Sequence, residues 1–120
     1  MKPVEVVKDV YWVGALDHNV RNFHGYSYTT HHGTTYNAYL IIDEKIALVD
    51  AVHGPFSEEM FARISEIIDP AKIDFMISNH TEMDHSGAIP DVLKRVPNAK
   101  LVCTERAVDA LKKHYPDGWD

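Results

Sequence analysis

The sequence predicts an α/β fold, β-rich in its first half and alternating helix with strand in its second. Val10-Tyr11-Trp12-Val13, Tyr36-Asn37-Ala38-Tyr39-Leu40-Ile41-Ile42 and Ile46-Ala47-Leu48-Val49 concentrate the aromatic and β-branched residues that suit a pleated sheet. Beyond residue 56 the apolar residues shift to helical spacing, with short apolar runs between the helical stretches. The chain has 120 residues, 45% hydrophobic and 25% charged, the balance of one globular domain or part of one.

Taken in order, the strand at 10–13 comes first, and the strands at 36–42 and 46–49 flank Asp43-Glu44-Lys45 as a β-hairpin. The polar stretch 17–35 between them holds four histidines and is too long for an idle loop. Met60, Phe61, Ile64, Ile67 and Ile68 share a helical face. Ser57 is placed to cap that helix, Glu58 and Glu59 suit its positive start, and Asp69-Pro70 ends it. Ile73 to Ser78 reads as a strand. Ile89, Val92, Leu93 and Val96 line a helix that begins near Ser86 and closes at Pro97-Asn98. Ala99 to Cys103 is a further strand, expected to bury Cys103 as an inert, packed thiol. Thr104 caps a last helix with Val108, Leu111 and Tyr115 inward. A sheet of these strands covered by helices on one side leaves its other face and an edge open.

Charge narrows the function classes. Twelve Lys and Arg against eighteen Asp and Glu give a formal net charge of −6, with no long run of either sign. Such a surface disfavours nucleic acid and anionic membranes as partners. The one cysteine forms no intrachain disulfide, no apolar run approaches membrane-spanning length, and Glu5 interrupts any signal-type start. The expected location is the cytoplasm.

Eight histidines in 120 residues is a high count, and six of them (His18, His24, His31, His32, His80, His85) fall in two segments. The strand at 73–78 runs into Asn79-His80-Thr81-Glu82-Met83-Asp84-His85-Ser86-Gly87, just where α/β proteins place their sites. In an extended start alternate side chains project alike, so His80 and Glu82 converge on one centre. A tight turn then aims Asp84 and His85 at a second. Imidazole and carboxylate together suit iron, manganese or zinc, and a two-metal site needs this density of donors. Taken singly these residues have plainer readings, Asp84 as a helix cap among them.

The pattern H-x-[EH]-x-D-H after a strand resembles the signature of the metallo-β-lactamase superfamily, and Leu48-Val49-Asp50 resembles that fold's second-strand Asp. Glu82 stands where the zinc hydrolases carry a second histidine. With Gly33-Thr34-Thr35-Tyr36-Asn37-Ala38-Tyr39-Leu40 and Arg21-Asn22-Phe23-His24-Gly25, this is similar to the flavodiiron proteins, or A-type flavoproteins, along essentially the whole chain. The exchange of imidazole for carboxylate adds negative charge and hard oxygen donation, which favours redox-cycling iron over zinc.

The resemblance implies the first half of a metallo-β-lactamase-like αββα sandwich, with residues 1–120 as the N-terminal portion of that domain. It implies reduction of dioxygen to water or nitric oxide to nitrous oxide at a non-haem diiron site. FMN in a C-terminal flavodoxin domain would relay electrons from rubredoxin or a reduced deazaflavin coenzyme, in a head-to-tail homodimer or tetramer. His80 and Glu82 would ligate one iron and Asp84 the other, while His85 is a ligand in some members and displaced in others. Asp50 reads either as a support for the ligand loop or as a strand-end turn residue. His24 reads either as a proton donor beside the iron pair or as a surface histidine. His31 and His32 read as loop residues, and His18, His53 and His114 as structural or exposed. The family's remaining ligands, two histidines and a bridging aspartate, fall beyond Asp120, as does the flavin domain, so the isolated chain is expected to be inactive. The alternatives are a zinc-dependent hydrolase of the same superfold and a non-catalytic remnant module.

Overall fold

The computed structural model describes residues 2–18 and 33–115, together with the backbone of 22–23 and 28–29. The strands in chain order are β1 (Val4–Val7), β2 (Val10–Trp12), β3 (Ala15–Asp17), β4 (Asn22–Phe23), β5 (Tyr28–Thr29), β6 (Thr34–Tyr36), β7 (Tyr39–Ile42), β8 (Ile46–Val49), β9 (Phe75–Ile77) and β10 (Lys100–Val102). The helices are α1 (Ser57–Ser65), α2 (Met83–Ser86), α3 (Ile89–Arg95) and α4 (Glu105–His114).

Among the described residues β1-β2-β7-β8-β9-β10 form one sheet in that order. The pairings from β1 to β8 are antiparallel, and the expected hairpin is the β7–β8 pair. β9 and β10 run parallel to β8, and parallel neighbours require crossovers. One passes through α1 and the other through α2 and α3.

Register places Leu40, Leu48, Met76 and Leu101 side by side on one face of the sheet. The first three are fully buried, and they join Met60, Ile64, Ile89, Val92 and Leu111 from the helices in a single core. The neighbouring row, Tyr39, Val49, Ile77 and Val102, lies on the opposite face and ranges from half-buried to exposed. The alternation is what a sheet covered by helices on one side requires.

Several sequence expectations shift. The strand expected at 36–42 is two strands. β6 pairs with β3, and the chain then bends at Asn37-Ala38, where the Asn37 side chain accepts the Trp12 indole N–H at 2.9 Å, into β7. The facing bend has Gly14, where a Cβ would lie 1.9 Å from the Tyr36 carbonyl oxygen. Arg63, on which the sequence is silent, is buried. It donates to the Gly14 carbonyl at 2.8 Å, pairs with Glu59 at 3.1 Å and lies over the Trp12 ring, tying α1 to this bend.

Ser57 is not a cap, because a 3-10 turn at Gly54–Phe56 leads straight into α1; its hydroxyl donates to Asp91 at 2.5 Å, joining α1 to α3. α1 ends at Ser65, and Asp69 instead caps the 3-10 turn Pro70–Lys72. The single helix expected near Ser86 is split into α2 and α3, and Asp84 lies inside α2 rather than at its cap. Thr104 caps α4 as expected, but Ala107 and Leu111 face inward while Val108 is 38% exposed. Cys103 falls just past β10, the edge strand, and is half-buried against the core. β1, which the sequence reading did not anticipate, is the opposite edge.

Leu48 fills the middle of the buried row. Leu48→Ala is expected to lower unfolding stability by about 2–5 kcal/mol through lost apolar contact and an unfilled cavity, measured by urea denaturation of the full-length protein. A loss under about 1 kcal/mol would show that the row is not the centre of the core.

Candidate metal centre

β8 and β9 are adjacent and parallel, so their C-terminal ends open on the same edge of the sheet. Asp50 follows β8 there with φ of 59°, a left-handed backbone that costs less for Asp than for most non-glycine residues. Its amide donates to the Ile77 carbonyl at 2.7 Å. Its carboxylate Oδ1 accepts the amides of Asn79 at 2.8 Å and His80 at 3.2 Å. The carboxylate therefore orders the base of the donor loop from beneath, as one of its two sequence readings has it. The next residues continue the seam: Ala51 donates to the His85 carbonyl and Ala88 to that of Val52. Gly87 lies within this close approach, where a Cβ would stand 2.6 Å from the Gly54 nitrogen and 2.8 Å from the Met83 carbonyl oxygen.

On that base the loop gathers its donors. His80 Nε2 lies 3.7 Å from Glu82 Oε2, and both side chains are about half exposed. His85 Nε2 lies 3.3 Å from Asp84 Oδ2, deeper in the protein. The two imidazoles meet edge to face, 5.1 Å between centroids. One donor atom each from His80, Asp84 and His85 fit within 4.8 Å of one another, with Glu82 outside that trio. His24, His31 and His32 lie outside the described residues.

The chemistry of this group suits a cation. No Lys or Arg occurs between Lys72 and Lys94, so the local partners of the loop carboxylates are its histidines, His80 beside Glu82 and His85 beside Asp84. His85 Nδ1 is buried with no hydrogen-bond partner among the described residues, a state that costs about 1–3 kcal/mol unless something satisfies it. Nearby, Tyr36 is 4% exposed and donates its phenol to Asp17 at 2.7 Å. Burial first, then that bond and the charges of Asp17 and Asp84, push the Tyr36 phenol far above its usual range. The rings of His53 and Phe56 pack around it. Tyr36, Ser86 and Gly87 were not singled out by residue type alone, because their roles come from contacts made across the fold.

The β8–β9 edge and its donor loop define a chain of the metallo-β-lactamase fold class. A family model described as ODP family beta lactamase matches residues 34–117, and the chain belongs to that family. Among curated relatives, the nitric oxide reductase of Moorella thermoacetica is 54% identical over 95% of this chain and 29% of its own length. The coenzyme F420H2 oxidase of Methanocaldococcus jannaschii is 48% identical over 93% of this chain and 27% of its own. Among solved structures, the flavodiiron protein from Giardia intestinalis superposes with a TM-score of 0.88 at 39% identity, covering 96% of this chain and 28% of that one. The rubredoxin oxygen:oxidoreductase from Desulfovibrio gigas gives 0.90 at 36%, with the same coverage. The flavodiiron resemblance is thereby borne out. The chain spans less than a third of the length of the relatives it matches.

Asp50→Ala removes the acceptor of two loop amides. It is expected to lower stability by about 1–3 kcal/mol and to weaken metal binding about tenfold or more, read by denaturation and by metal titration of the full-length protein. Unchanged metal affinity would leave Asp50 with a turn role only.

Proposed function

We propose that this chain supplies part of a non-haem diiron centre in an oxidoreductase that reduces nitric oxide to nitrous oxide, dioxygen to water, or both. The observation that carries the reading is the convergence of His80, Asp84 and His85 within 4.8 Å, with Glu82 beside His80. His80 and Glu82 hold one iron and Asp84 the other, with His85 as a further donor. An iron pair held by these residues would supply Lewis-acid and electron-transfer chemistry toward a diatomic substrate. Glu82 and Asp84 contribute anionic oxygen donors that stabilise the higher oxidation state. Asp50 holds the loop in place, and His24 is the proposed proton donor to the substrate.

Four donors do not enclose two irons, so the centre draws its remaining ligands from other residues of the full-length protein. Residues 1–120 then form the N-terminal portion of a metallo-β-lactamase-like domain, with FMN carried by a separate flavodoxin domain. The names of the relatives support nitric oxide or dioxygen as substrate and rubredoxin or a reduced deazaflavin coenzyme as donor. A head-to-tail homodimer or tetramer would bring one subunit's flavin to the other's irons. No helix among the described residues is long and apolar enough to cross a membrane, and the cytoplasm is the proposed location.

Full-length protein purified anaerobically is expected to contain iron and FMN and to consume nitric oxide, dioxygen or both. Zinc without iron would favour the hydrolase, and an intact fold with no metal uptake the non-catalytic module; either result overturns this reading. Glu82→Ala is expected to weaken iron binding roughly tenfold or more, measured by competition with a chelator. Equal affinity would remove Glu82 from the ligand set.

A further inference from the structure

Ser86, the last residue of α2, is fully buried and touches three oxygen atoms. Its Oγ lies 2.7 Å from the Thr81 carbonyl, 2.9 Å from the Glu82 carbonyl and 3.0 Å from the Tyr115 hydroxyl. A serine hydroxyl has one hydrogen to give. With two carbonyls as acceptors, that hydrogen is shared between them, and the Tyr115 hydroxyl is the donor to Ser86. The chain of bonds therefore runs from Tyr115 through Ser86 to the backbone of the donor loop.

Back-bonding of a serine to the carbonyl four residues earlier is ordinary helix chemistry. The second acceptor is not part of that pattern, and neither is a tyrosine 29 residues further on, at the end of α4. The two carbonyls belong to the peptide units on either side of the Glu82 α-carbon. Holding both planes holds the backbone angles of Glu82, φ −66° and ψ 154°, and so the direction in which its side chain leaves the chain. His80 and Asp84 flank the same two units.

We propose that the Ser86–Tyr115 hydroxyl pair positions the donor loop by fixing the Glu82 backbone, so that the residue capping α4 sets the metal affinity and coordination of the loop. Ser86 and Tyr115 are positioning residues here, not ligands. The proposal rests on the reading of residues 80–85 as the metal centre.

The test uses Tyr115→Phe, which removes one oxygen atom, and Ser86→Ala, both in the full-length protein. Ferrous iron affinity is measured by anaerobic chelator competition, the mixed-valent electron paramagnetic resonance signal is recorded, and the urea midpoint of the metal-free protein is followed. Iron binding is expected to weaken about three- to tenfold in Tyr115→Phe and about tenfold or more in Ser86→Ala. The spectrum should change in both, while the metal-free midpoint of Tyr115→Phe stays near wild type. Wild-type affinity and spectrum in both variants would overturn the proposal, as would affinity lost only in step with metal-free stability. A wild-type protein that binds no iron would instead sink the metal-centre reading on which the proposal stands.

Discussion

A buried carboxylate must find hydrogen-bond donors, and the Asp50 carboxylate finds them in the amides of Asn79 and His80. That constraint joins the end of β8 to the loop that follows β9. It works because the two strands are parallel neighbours whose C-terminal ends emerge together. The left-handed backbone of Asp50 turns its side chain under the loop while its own amide stays bonded to Ile77. The donors of the site stand on this joint, and the seam through Ala51, Val52 and Ala88 extends it across α2.

The rest of the architecture makes that joint rigid. Leu40, Leu48 and Met76 lock the three central strands from one face, and Ile64, Ile89 and Val92 lock the helices onto them. Ser57 to Asp91 and Arg63 to Gly14 add polar ties between helices and between helix and bend. Against this frame the loop shows a gradient of exposure. Asp84 and His85 are mostly covered, whereas His80 and Glu82 are half open. Donors held from below and accessible from above are suited to capture an ion and a small substrate.

The electrostatic setting points the same way. Glu82, Asp84 and the nearby Asp17 bring negative charge to a region without Lys or Arg in the loop itself, and the Tyr36 phenol is held protonated beside them. A divalent or trivalent cation relieves that accumulation more effectively than a hydrogen bond does.

The residues of the candidate metal centre were legible in the sequence, because His80, Glu82, Asp84 and His85 are close in the chain and follow a recognisable strand. The β7–β8 hairpin, the apolar faces of α1 and α3 and the Thr104 cap were legible for the same reason, since each depends on local spacing and residue type. Ser57, Arg63, Val108 and the split between α2 and α3 were not. Ser57 and Arg63 bond to residues 34 and 49 positions away, and between α2 and α3 the Ala88 amide bonds across the fold to the Val52 carbonyl. By itself, then, the sequence determined which donor groups crowd into one loop and which elements bear them. Only the tertiary structure decided what holds those groups still, because Asp50 and Tyr115 reach the loop across separations of about thirty residues, and such contacts exist only once the sheet and α4 have packed.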